Sequence, residues 1–180
     1  EAHKTQKLVK KFTDEQIMNL PPCKDDYKAT AIYVLGMLFG LCVHLSHKVA
    51  LDILRMRGIR LTLENGVCEA SALACAYYGS HLISKSTPNI AEGYRFGRLA
   101  LDLLEKLDAS ELKARTILLS NFMIVHWKEP LHKTLDRLMN GYNVGMLSGD
   151  IEMAFTCAGL YQAHYYYCGL PLHTGVEDLA

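Results

Sequence analysis

The chain has no surplus of either charge. Nineteen Lys and Arg residues face nineteen Asp and Glu residues in a chain of 180. A general nucleic-acid surface needs a basic excess, so the composition lends that class no support. The early run of Lys4, Lys7, Lys10 and Lys11 reads as a solvated helix face. Apolar–polar alternation with period two never persists, which leaves no strand and makes the fold class all-α. The six cysteines (Cys23, Cys42, Cys68, Cys75, Cys157, Cys168) form no C-x-x-C pair and no regular framework. Most lie inside apolar helical runs, where a thiol acts as a small hydrophobe. Free thiols favour a reducing compartment, and a cytoplasmic location is expected. The sequence also lacks the G-x-x-x-x-G-K-[ST] phosphate loop and the H-R-D and D-F-G motifs of kinases. ATP or phosphoryl chemistry therefore has no recognisable seat in this chain.

Half of the residues are hydrophobic, enough for one domain with a substantial core and too many for a disordered chain. The run 29–46 contains no Asp, Glu, Lys or Arg. Its length is at the lower edge of a membrane span. His44, Gly36, Gly40, Thr30 and Ser46 interrupt it, and no second span accompanies it, so the expectation is a core helix buried on all sides and no membrane. The first residues are charged and form no secretory signal. Glu177-Asp178-Leu179-Ala180 reads as the start of another element, so a piece of a longer chain is expected.

The stretch 89–127 has the clearest pattern. Tyr94, Phe96, Leu99, Ala100, Leu103, Leu104 and Leu107 recur as a wide helical face requires. Asp108-Ala109-Ser110 breaks it, Ser110 is placed to cap a second helix, and Leu112, Ile117, Leu118, Phe122 and Val125 continue the apolar face to Trp127. Two helices so closely joined are expected to pack as an antiparallel αα-hairpin. Elsewhere, residues 1–20 read as an N-terminal helical segment with a break before Thr13, ended by Pro21-Pro22. Residues 21–180 read as helices over about 26–45, 48–63 (capped by Ser46), 67–83, 130–146 and 151–168. Small residues from Ala70 to Gly79 permit tight packing of the third of these helices.

The breaks recur. Asn65-Gly66, Leu107-Asp108 and Gly149-Asp150 stand 42 residues apart, and so do Ala70, Leu112 and Ala154, or Leu54, Phe96 and Leu138. The expected architecture is a right-handed superhelical stack of about four αα-hairpins, tetratricopeptide-like, with a period of about 42.

The wording of G-Y-R-F-G-R-L-A-L-D-L-L-E-K-L-D-A-S-E-L-K-A-R (93–115), H-W-K-E-P-L-H-K-T-L (126–135) and S-G-D-I-E-M-A (148–154) resembles one family. It is similar to the helical repeat region of very large multidomain sensor kinases. There, a serine/threonine-kinase-like domain and a P-loop ATPase of the signal-transduction (AAA/STAND) type precede the repeats. A GAF domain and a histidine kinase often follow. The resemblance spans residues 20–172 and is sharpest over 93–150. It implies a non-catalytic regulatory module that binds other domains of the same polypeptide or a partner protein, and that uses no cofactor. Self-association through uncapped repeat ends is a further expectation.

Candidate sites follow from side-chain chemistry. Tyr94, Arg95, Arg98, Trp127 and Lys128 are the expected partner-binding residues, and Tyr77, Tyr78 and Arg115 extend the mixture of aromatics and cations. Trp127 is expected to anchor its turn by apolar burial. The alternative is a free-standing all-α metal-binding or enzymatic domain built on His44 and His47, or on His164, Cys168 and His173. Neither set is complete as a ligand set, and no metal or catalytic residue is expected.

Overall fold

The computed structural model describes residues 2–107 and 110–171, the side chain of Ser110 excepted. The Asp108-Ala109 break, the Ser110 cap, His173 and any helix beyond it fall outside the described residues. The described residues are all-α.

The chain's own punctuation sets most helix ends. Helices α1 (Ala2–Val9) and α2 (Asp14–Met18) are separated by a capping box. In it the Gln16 amide donates to Thr13 Oγ1 at 3.2 Å, and the Thr13 amide donates to Gln16 Oε1 at 2.9 Å. Asp25 caps α3 (Asp26–His44) through the Lys28 amide. The cap of α4 (Lys48–Asn65) is His47 rather than Ser46: His47 Nδ1 accepts from the Ala50 amide at 3.2 Å. Ser46 instead carries the sharp turn, at φ 52°. Gly66, at φ 101°, ends α4 as the Asn-Gly turn predicts.

Helix α5 (Ser71–Ile83) starts later than expected because residues 67–70 are used otherwise. The Val67 amide donates to Pro21 O and the Cys23 amide to Val67 O, at 2.9 and 2.8 Å, pinning the diproline loop to the chain. Then come α6 (Ile90–Leu107), α7 (Ser110–Met123) and a 3-10 turn at Val125–Trp127. A second 3-10 turn at Leu131–Thr134 delays α8 to Leu135–Ser148, and α9 covers Ile151–Tyr167. Asp150 precedes α9 without capping it; its carboxylate meets Arg115 at 3.5 Å.

Helices α3, α5, α7 and α9 touch in succession, each against the next. Helix α4 packs on α3 and α5, α6 on α5 and α7, and α8 on α7 and α9. The centre is α5, where every residue from Ser71 to Ile83 is buried. Its main partner is α6, and the expected α6–α7 pair is a smaller contact. Glycine explains this choice. A Cβ on Gly79 would stand 2.8 Å from Gly93 O, and one on Gly93 would stand 2.5 Å from Ile83 Cγ1. The two backbones therefore approach closer than any side chain allows. Phe96, fully buried, meets Tyr78 edge-on with ring centroids 4.8 Å apart.

Helix α3 corrects the sequence expectation. Only 17% of its apolar window is buried, through Ile32, Gly36 and Phe39. It stands first in the α3–α5–α7–α9 succession, so α4 and α5 cover one side. Among the described residues nothing covers Val34, Leu38, Leu41 and Leu45 on the other. By length and composition it is the one described helix that could cross a membrane.

Candidate functional site

A groove of about 780 Å³ runs between α3 and α9 over α5 and α7. Its walls are apolar: Phe39 and Val43 from α3, Leu118, Phe122 and Met123 from α7, Met153, Leu160 and Ala163 from α9. Gly40 and Gly159 keep the walls apart, and a Cβ on Gly159 would meet nothing within 4 Å. Polar groups enter mainly as the guanidiniums of Arg55 and Arg115, with Tyr77 beside them and His44 and Glu152 also lining the groove.

These groups form an ordered set. The Phe39 and Tyr77 rings stack with centroids 3.9 Å apart, and the Arg55 guanidinium lies 5.1 Å from the Phe39 centroid. Tyr77 Oη donates to Gly36 O at 3.1 Å, which joins α5 to α3. Burial pushes the Tyr77 phenol well above its ordinary range, against the pull of Arg115 and Arg55. Burial likewise lowers the Arg55 pKa, with Asp52 opposing; the guanidinium stays charged at any physiological pH.

The counter-ions are loose. Arg55 Nη1 is 3.7 Å from Asp52 Oδ1 and donates to Ser84 Oγ at 3.3 Å. Asp52 is shared with His81, whose Nδ1 is 3.0 Å away. Burial and Lys85 hold His81 below the usual histidine range despite Asp52, so this contact is a neutral N–H donating to a carboxylate. The Nε atoms of Arg55 and Arg115 are buried, and neither has a hydrogen-bond partner among the described residues.

The expected site residues divide between two other places. Tyr94 Oη donates to Glu129 Oε1 at 2.7 Å, Arg137 Nη1 donates to Glu129 Oε2 at 3.0 Å, and Arg98 Nη1 stands 3.6 Å from the same carboxylate. Burial alone would raise the Glu129 pKa; the bonds from Tyr94 and Arg137 outweigh it and hold the carboxyl below its ordinary range. Lys128 Nζ lies 5.6 Å from the Tyr94 ring centroid. Tyr94, Arg98 and Lys128 are thus brought together around Glu129, which the sequence did not single out.

Arg95 turns away to α2, with Nε 2.5 Å from Asp14 Oδ1 and Nη2 donating to Phe12 O at 3.2 Å. Trp127 is 53% exposed; Ile124 and Val125, fully buried, do the anchoring expected of it. None of the five lines the groove. Of the wider set, Tyr78 is core, while Tyr77 and Arg115 belong to the groove. Arg55 was not singled out at all. Its only signal in the sequence is its place between the apolar Leu54 and Met56 of α4, a helix that also carries Arg57 and Arg60.

The histidine and cysteine pairs have other partners. His47 caps α4. His164 Nδ1 is 2.6 Å from Thr134 Oγ1, which itself donates to Leu131 O at 2.7 Å. A hydroxyl has one proton, so the ring nitrogen is the donor to Thr134. Among the described residues, no three His, Cys, Asp or Glu side chains converge as a metal site. Burial pushes the Cys75 and Cys157 thiols up to about 12, which keeps them protonated and unreactive. No protein-family model matches the chain, and neither does any curated protein or solved structure.

Proposed function

We propose that the chain is a non-catalytic interaction module of an intracellular signalling protein, built as a right-handed, tetratricopeptide-like superhelical stack of αα-hairpins. The succession α3, α5, α7, α9, with α4, α6 and α8 behind it, supports such a stack. So does the burial of Ala70, Leu112 and Ala154, which are 42 residues apart.

The observation that carries the reading is the uncovered apolar face at the α3–α4 end. Val34, Leu38 and Leu41 recur at helical spacing on α3, Leu45 caps its C-terminus, and Val49 and Ile53 follow on α4. At the other end Met146, Leu147, Ile151 and Phe155 are exposed on α8 and α9. A hairpin array leaves such faces wherever another hairpin is due to stack. The occupants are other helical segments of the same polypeptide or a partner protein. In a parent sensor kinase with an ATPase, filling and vacating these faces would shift the population between closed and open arrangements.

Sedimentation of the chain against concentration tests this. Reversible self-association is expected, and the double substitution Leu38→Ser with Leu41→Ser should abolish it while the circular dichroism spectrum is unchanged. A monomer at all concentrations, indifferent to the double substitution, counts against the reading. A second reading rests on the same helix: α3 is long and apolar enough to span a bilayer. Co-flotation of the chain with uncharged phospholipid vesicles, lost in the same variant, would favour that one.

A further inference from the structure

We propose that α3 docks antiparallel on the α3 of a second copy, so that the chain forms a closed two-fold dimer. This names the occupant of the uncovered α3–α4 face and rests on the reading of that face as a docking surface.

The spacing of the uncovered side chains carries the inference. Tyr27, Ala31, Val34, Leu38, Leu41 and Leu45 follow one another at steps of 4, 3, 4, 3 and 4. That is the spacing of a helix that packs along its length on another helix. The core-facing residues Ile32, Gly36 and Phe39 lie on the opposite side of α3. Ala31 is partly buried, and the other five are exposed, from Leu38 at 41% to Tyr27 at 90%. The seam is also self-complementary, because its six positions are symmetric about position 36. In an antiparallel pair Tyr27 meets Leu45 of the second copy, Val34 meets Leu38, and the small Ala31 meets the large Leu41. Beside the seam, Leu35 and Met37 meet their own copies, Thr30 meets His44, and Lys28 meets Cys42, so no like charges face each other. A parallel pair would set Ala31 against Ala31, leaving a gap, and would bring Asp25 and Asp26 against their own copies. The other end of the stack does not compete for the seam: Met146, Leu147, Ile151 and Phe155 gather at one turn beside the exposed Glu152. A face that meets itself closes at two copies.

Sedimentation across concentration should show a monomer–dimer equilibrium with no larger species. Leu38→Ser with Leu41→Ser should weaken the dimer on the order of a hundredfold or more, since each copy withdraws two leucines from the contact. Leu147→Ser with Phe155→Ser should leave it unchanged. Direction is read with a short bis-maleimide in a Cys42→Ser background, the link being located by peptide mass spectrometry. Met37→Cys should be joined to its own copy. Tyr27→Cys should not, because in an antiparallel pair the two 27 positions lie about 27 Å apart along the helix axis. This arm stands even if a serine variant does not fold. The proposal is overturned, with the docking reading intact, if oligomers grow beyond two, if Leu147→Ser with Phe155→Ser dissociates them, or if Tyr27→Cys is joined to its copy and Met37→Cys is not. A monomer at all concentrations, indifferent to the α3 substitutions, overturns both.

Discussion

Helices α3 and α5 are almost equally apolar, and neither shows a one-sided pattern. Yet α5 is buried at every residue, whereas α3 buries only Ile32, Gly36 and Phe39. Apolarity alone therefore does not place a helix at the centre. What separates the two is side-chain size and neighbours. Helix α5 carries Ala72, Ala74, Ala76, Gly79 and Ser80, and α4, α6, α7 and α3 all pack against it. Helix α3 carries Val34, Met37, Leu38 and Leu41 where no described neighbour stands. A helix of small residues lets others approach on all sides; a helix of large apolar residues at one end of a stack waits for a partner.

Thiol labelling reads this contrast at its largest. Cys75 on α5 is fully buried and its thiol is pushed up to about 12, while Cys42 on α3 is partly exposed. In the native chain, a maleimide should modify Cys42 quickly and Cys75 only through global unfolding, which lies about 5–15 kcal/mol uphill in a typical domain. Mass spectrometry of labelled peptides would expose the comparison as wrong if both react together.

Truncation is next. Leu73→Ala on α5, at 1% exposure, should cost about 2–5 kcal/mol. Leu41→Ala on α3, at 55% exposure, should change stability by no more than about 0.5 kcal/mol. Urea unfolding of the two variants at concentrations where the chain is monomeric decides it, and a large loss from Leu41→Ala there would mean that α3 is covered within the monomer.

Glycine offers a finer version. Gly79→Ala pushes a methyl to 2.8 Å from Gly93 O and should cost about 1–3 kcal/mol, as overpacking does. Gly159→Ala opens onto the groove with nothing within 4 Å, so the helix-propensity gain of up to about 1 kcal/mol should remain. Opposite shifts in melting temperature are the expected outcome.

The smallest effect is in pH. His81 on α5 is held below its ordinary value of 6.5 by burial, Lys85 and Arg55, and His164 on α9 by burial and His126. A depressed histidine pKa means the unfolded chain binds the proton first. Stability is therefore fully present above about 6.5 and declines as pH falls through the folded values. Melting curves at about pH 7.5 and about pH 5 should show the loss, and His81→Asn should lessen it. An increase in stability on acidification would reverse the assignment.

Much of the fold was legible in the chain. Pro21-Pro22, Asn65-Gly66 and Gly149 are local devices, and local backbone chemistry is enough to read them. The capping box at Thr13 and the cap at Asp25 are of the same kind. The late start of α5 was not legible, because it depends on hydrogen bonds from Val67 to the distant diproline loop. Nor was the choice of α5 over α7 as the main partner of α6, which depends on Gly79 meeting Gly93. Of the expected partner-binding residues, Tyr94, Arg98 and Lys128 stand together around a carboxylate, Glu129, that draws them into a structural network, while Arg95 and Trp127 stand apart.

The sequence by itself determined that this chain is helical, where most helices begin and end, and which of their faces are apolar. Those properties follow from residue type and spacing within a turn or two. Only the tertiary structure decided which apolar helix is covered, which arginines share a groove, and where that groove opens. Arg55 and Arg115 are sixty residues apart in the chain, and they flank one tyrosine only because α4 and α7 both pack on α5.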